Sequence, residues 1–107
     1  MIEAIYNRRR CCLIMLGHAG SGEEGHDLVC AAASMLVYTL SGNVAELRDA
    51  GQASDAVIEL EKGRCRIACR PERKYAPVVR MIFDAVCRGF LLLANQYPAY
   101  VKLRIVT

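Results

Sequence analysis

Ile58-Glu59-Leu60-Glu61-Lys62-Gly63-Arg64-Cys65-Arg66-Ile67-Ala68-Cys69-Arg70 alternates with a period of two on either side of a Lys-Gly turn. Ile58 and Leu60 oppose Glu59 and Glu61 on the first arm; Cys65, Ile67 and Cys69 oppose Arg64, Arg66 and Arg70 on the second. Successive side chains of a strand point to opposite faces, so this is a hairpin with one dry and one wet face. Such a sheet needs a layer to cover its dry side, and the chain supplies two helices. From Asp27 the period becomes helical, with an apolar stripe at Leu28, Ala31, Ala32, Met35, Leu36 and Leu40. Gly42 suits its end, and Val44 to Ala50 adds a further turn. After a linker at Pro71 to Lys74, a second stripe runs through Tyr75, Val79, Ile82, Phe83, Val86, Phe90 and Leu93, with Pro77 near its start.

Outside these elements lie three more strands. Ile2 to Tyr6 is followed by a basic turn from Asn7. Cys11 to Leu16 is an unbroken apolar run, the pattern of a central strand covered on both faces. Val101, Leu103 and Ile105 alternate with Lys102 and Arg104. The order ββαββαβ predicts an α+β fold, a two-layer domain with helices on a mostly antiparallel sheet.

The chain has 107 residues, which fits one domain over 1–107. With 54% hydrophobic and 23% charged residues it is no disordered tail. A net charge of +3 falls short of the strongly basic balance of a dedicated nucleic-acid binder. The arginines of the hairpin read as a solvated face, and direct RNA binding is not expected. The longest apolar stretch, Leu28 to Leu40, is too short to span a bilayer, so no membrane association is expected. Arg8-Arg9-Arg10 before Cys11 to Leu16 imitates a leader, but its apolar part stops after six residues. The expected compartment is the cytoplasm. Six cysteines without a C-x-x-C suggest reduced thiols, five of them (Cys11, Cys12, Cys65, Cys69 and Cys87) as small core hydrophobes.

The unusual residues fall between one strand and one helix, in Gly17-His18-Ala19-Gly20-Ser21-Gly22-Glu23-Glu24-Gly25-His26-Asp27-Leu28-Val29-Cys30. Gly20, Gly22 and Gly25 form a literal G-x-G-x-x-G, but Glu23 and Glu24 inside it would repel a pyrophosphate, and no P-loop lysine follows. The pair would attract a basic peptide instead. His18, His26 and Cys30 are zinc-type ligands, yet nothing else completes a site by spacing. The third reading is a cysteine nucleophile. With Asp27 as N-cap, Cys30 would sit in the first helical turn, where the helix dipole favours thiolate. Nearby backbone N–H groups would then hold an oxyanion, and His18 would act as base and acid across the loop. Against all three stands packing alone: an Ala-rich helix commonly buries a cysteine for its volume.

Gly17-His18-Ala19, the glycine-rich loop, and Asp27-Leu28-Val29-Cys30-Ala31-Ala32-Ala33-Ser34 together resemble the signature of the Prp family, the ribosomal-processing cysteine proteases of bacteria. Eleven residues separate His18 from Cys30, and the likeness extends to chain length, element order and the tyrosine-rich segment before the last strand. The resemblance implies a cysteine endopeptidase with Cys30 as nucleophile and His18 as catalytic histidine. Asp27 would orient the histidine or cap the helix, and Gly20, Gly22 and Gly25 would lend the loop its mobility. It further implies a homodimer that needs no cofactor or metal. The implied substrate is the N-terminal extension of the twenty-seventh protein of the large ribosomal subunit, cut after an aromatic residue. A non-enzymatic ribosome-associated module of the same fold is the alternative, and a thiol redox sensor at Cys30 a third.

Overall fold

A computed structural model describes residues 1–17 and 26–107, without the side chains of His26 and Asp27. His18, Gly20, Gly22, Glu23, Glu24 and Gly25 lie outside the described residues. The elements are β1 (Ile2–Asn7), β2 (Cys12–Leu16), α1 (His26–Asp49), β3 (Ala53–Glu61), β4 (Arg64–Pro71), a 3-10 turn at Arg73–Tyr75, α2 (Ala76–Gln96) and β5 (Val101–Val106). They realise the expected ββαββαβ order in one five-stranded sheet, β3-β4-β2-β1-β5. Three of its four pairings are antiparallel and β1 with β5 is parallel.

The helices lie on one face: α1 packs against β3 and β4, α2 against β5, and the two against each other. Alternation decides what each strand gives them. Ile2, Ala4 and Tyr6 of β1, Leu13 and Met15 of β2, and Cys65, Ile67 and Cys69 of β4 are all buried beneath the helices. α2 contributes Val79, Phe83, Val86, Cys87 and Phe90, close to the stripe its sequence predicted.

Three expectations need correcting. The buried stripe of α1 is Val29, Ala33, Val37, Leu40, Val44 and Leu47, whereas Leu28 and Met35 are 65% and 62% exposed. The helix is apolar on more than one side, and only the stripe that begins at Val29 continues through its last two turns. The helix also runs through Gly42 without stopping, because its packing outweighs the ~1 kcal/mol helix penalty of one glycine. Second, β2 is central but covered on one face only, since Cys12 and Ile14 stay half-buried on the side away from the helices. Third, Cys11 belongs to the turn before β2 at a φ of 48°; it is buried and Cys12 is not, so four of the five structural cysteines are core. All six thiols are free. Leu28–Asp49 is long and apolar enough to cross a membrane by length and composition, a test that a count of uninterrupted apolar residues had missed. In this fold the helix instead buries its Val29 stripe against the sheet and α2.

One polar anchor ties sheet to helix at the end remote from the glycine-rich loop. The Tyr6 hydroxyl donates to Asp84 Oδ1 at 2.8 Å, and Arg8 grips both carboxylate oxygens, Nε at 3.1 Å and Nη2 at 3.2 Å. The Tyr6 ring stacks on Phe83 at 6.2 Å between centroids. Partial burial pushes the Asp84 pKa up, but the hydrogen bonds from Arg8 and Tyr6 and the Arg8 and Arg88 charges outweigh it and leave the value lowered. A carboxylate with a lowered folded-state pKa stabilises the fold above its unfolded value, about 3.9, and that stabilisation is lost as pH falls through the folded value. Acid titration of the urea midpoint should therefore show a loss below about pH 4 that Asp84→Asn lacks. Tyr6→Phe should cost about 1–2 kcal/mol near neutral pH in the same urea assay.

Candidate active site

β2 ends at Leu16, and the next residue, Gly17, has a φ of +90°, where a side chain would run into the Met1 carbonyl. Gly17 N–H donates to the Gly63 carbonyl at 3.0 Å, so the end of β2 is pinned to the turn between β3 and β4. The residue that follows is His18. Across the cleft from Gly17 stands α1, one face of which carries Cys30, Ser34, Val37 and Tyr38. These four, with Ile2, Met15, Gly17, Leu60, Glu61, Lys62, Gly63 and Cys65, enclose a cleft of about 400 Å³.

Cys30 is half-buried at this cleft. Because α1 begins at His26, Asp27 is its second residue and not its N-cap, and Cys30 is the fifth. The N–H of Cys30 is thus within reach of the helical acceptor four residues back. The donors left without intrahelical partners are those of residues 26 to 29, immediately N-terminal to it. The dipole acts most strongly within that first turn, so Cys30 feels less of it than a residue of the first turn would. N–H groups without intrahelical partners, near a cleft-lining thiol, are the kind of donor that holds an oxyanion in acyl transfer.

The other thiol of the cleft is of a different kind. Burial pushes the Cys65 pKa up, partly offset by its hydrogen bond of 3.6 Å to the Glu61 carbonyl, so it stays a protonated packing group. Burial likewise raises Cys11 and Cys87, and pushes Cys69 up to about 11. Among the described residues no cluster of His, Cys, Asp and Glu has the arrangement to hold a metal ion. The zinc and phosphate readings rest on His18, the His26 side chain, Gly20, Gly22 and Gly25, outside what the structure describes.

Sequence reasoning found Cys30 and the end of β2 but missed the rest of the wall. Ser34 and Tyr38 were legible, being four and eight residues beyond Cys30 on one helical face. Glu61, Lys62 and Gly63 were not, because only the pairing of β4 with β2 carries their turn to the cleft.

The sequence pattern of the family described as cysteine protease Prp matches residues 1–102. The chain belongs to the Prp family of cysteine proteases. No curated protein sequence matches it. Among solved structures it is similar to SMU.848 from Streptococcus mutans, at 29% identity and a TM-score of 0.71, with 100% of this chain and 95% of that one covered. It shares the fold of the essential ribosomal processing protease Prp from S. aureus in complex with a covalently linked product peptide, at 22% identity and a TM-score of 0.73, covering 99% of this chain and 100% of that one. The same S. aureus protease with a substrate peptide aligns at 22% identity and a TM-score of 0.70, covering 98% and 97%. Family membership makes the chain a peptidase and sets aside the non-enzymatic module.

Gly17→Ala should destabilise the protein by at least about 1–2 kcal/mol, since a Cβ is strained at positive φ and meets backbone as well. Thermal unfolding measures it; a melting temperature equal to wild type would contradict the close approach to Met1.

Proposed function

We propose that this protease removes the N-terminal extension of a large-subunit ribosomal protein, the twenty-seventh, in the cytoplasm, using Cys30 and His18 as a catalytic pair. The observation that carries the reading is that Cys30 and Gly17, the immediate chain neighbour of His18, line the same cleft. Elimination supports it too. Cys11, Cys65, Cys69 and Cys87 are buried with raised pKa values, and Cys12 lies on the far side of the sheet. Cys30 is the cysteine left to a peptidase.

In this mechanism the Cys30 thiolate adds to the scissile carbonyl, and N–H groups of the first turn of α1 hold the resulting oxyanion. The tetrahedral intermediate collapses to a thioester as the imidazolium of His18 gives its proton to the departing amine. A water molecule, deprotonated by His18, then adds to the thioester carbonyl. Collapse releases the carboxylate product and returns the proton to the site. Asp27 takes the role of orienting the imidazole or of capping the helix, as the family signature implies. The mobility assigned to Gly20, Gly22 and Gly25 would let the loop close over bound peptide. Ile2, Met15, Val37, Tyr38 and Leu60 give the cleft an apolar lining suited to the aromatic residue before the cut.

The test is intact-mass analysis of a peptide spanning that extension. Wild type should yield two fragments, while Cys30→Ala and Cys30→Ser yield none and remain folded by circular dichroism. His18→Ala should slow cleavage by about 10²–10⁴-fold. An active Cys30→Ala protein would overturn the assignment.

A further inference from the structure

β3 is an edge of the sheet, paired with β4 on one side and with no strand of the described residues on the other. Which of its main-chain groups face the open side follows from the neighbouring strands. Gly17 N–H bonds to the Gly63 carbonyl and Cys69 N–H to the Cys11 carbonyl, so the odd-numbered residues along β4 turn their main chain to β2. Arg64, Arg66 and Ala68 therefore bond to β3, where they face Glu61, Glu59 and Val57. Ile58 and Leu60 are left with their N–H and C=O groups turned to the free edge. The far end of β3 is closed to a further strand by the register shift between Ser54 and Val57 and by Asp55, at a φ of 51°. The regular stretch from Val57 to Glu61 stays open, and it ends in the cleft, where Leu60 and Glu61 form part of the wall.

α1 overlooks this edge. A Cβ on Gly89 of α2 would run into Leu36, so Leu36 marks the side of α1 that meets α2. Tyr38 lies two residues on, about 200° around the helix, with Ser34 and Cys30 one and two turns before it. These three form the flank turned away from α2. Because α1 packs against β3 and β4 while α2 packs against β5, that flank looks out over the β3 side of the sheet. Tyr38 and Leu60 are 54% and 44% exposed. A cleft-lining thiol, unpaired main-chain donors and acceptors, and exposed apolar side chains thus border one trough. β5, the other edge strand, supplies no wall of the cleft among the described residues.

We infer that the peptide to be cut binds as a sixth strand of the sheet, its main chain bonded to Ile58 and Leu60 on the free edge of β3, beside the Cys30–Tyr38 flank of α1. The added strand would lie about 4.8 Å from β3. An extended main chain is the partner that meets N–H and C=O groups repeating every second residue, and the edge that offers them runs into the cleft of a peptidase. Ladder bonds of this kind set the depth and register of a peptide whatever its sequence, while pockets for alternate side chains supply selectivity. The side chains turned toward the helices would rest on Leu60 and Tyr38. The inference rests on Cys30 as the nucleophile proposed above, and not on which protein is cut.

Kinetics on backbone-edited peptides test it. A peptide that wild type cuts is first found by mass spectrometry in a mixture of random-sequence peptides. An extension peptide left whole while others are cut would refute the ribosomal assignment alone. Each amide of the chosen peptide, the scissile one excepted, is then N-methylated in turn. Loss of a ladder donor should lower kcat/KM about tenfold or more at every second position, and much less at the positions between. On the enzyme, Leu60→Pro removes an outward donor and no bond to β4. It should lower kcat/KM about tenfold or more, while iodoacetamide alkylates Cys30 at the wild-type rate. Leu60→Ala, which keeps the donor, should lose less. An N-methyl profile without a period of two overturns the inference, and so does a Leu60→Pro enzyme, folded by circular dichroism, with unchanged kcat/KM. If Leu60→Pro does not fold, the N-methyl profile of wild type decides alone. Cleavage by Cys30→Ala would overturn the inference together with the nucleophile on which it rests.

Discussion

Strand β2 is paired along both edges, and that double pairing constrains everything the cleft needs. Held between β1 and β4, its five residues cannot slip by one position without carrying Leu13 and Met15 out of the core. Its end is therefore fixed in space, and Gly17 with it, bonded to the Gly63 carbonyl of the neighbouring turn. The loop that carries His18 departs from this anchored point, and the helix that carries Cys30 returns over the same end of the sheet. Gly17 and Cys30 thus line one cleft at the edge of a rigid layer, on the scaffold-and-loop plan by which active sites are commonly positioned.

Polar organisation follows the same division. At the end of β1 remote from the cleft, Tyr6, Arg8 and Asp84 bind sheet to helix through a satisfied, partly buried network. At the cleft end the polar groups are Ser34, Tyr38, Glu61 and Lys62, and they face open space. The hydrogen-bonded network thus holds one end of the sheet, while the cleft end turns on Gly17, whose positive φ a glycine adopts without the strain a side chain would bring.

Much of the fold was legible because it rests on period. Alternation at Ile58–Arg70 and Val101–Ile105 gave the strands their faces, and the Val79–Phe90 stripe gave α2 its buried side. α1 was harder. Its apolar residues supply two overlapping stripes, and only contact with β3, β4 and α2 decides between the one through Leu28 and Met35 and the one through Val29 and Val37. The start of the helix was also misjudged, because Asp27 is a good cap residue that proves to lie inside the first turn. Cys30 was singled out by its neighbours in the sequence, while the place of the Lys62-Gly63 turn at the cleft, set by non-local strand pairing, left no local mark. β2 was misread: its apolar run suggested a cover on both faces, and the helices cover one.

The six thiols divide sharply, four sealed in the interior and two, Cys12 and Cys30, in contact with solvent. Burial holds the sealed ones in the weakly nucleophilic S–H form. A cysteine-rich enzyme would ordinarily be a poor subject for electrophilic drugs, with alkylation spread over many sulfurs. Here the fold performs the selection, leaving an electrophile two addresses on opposite sides of the sheet, and only one of them inside a concave cleft that can add shape recognition to covalent capture.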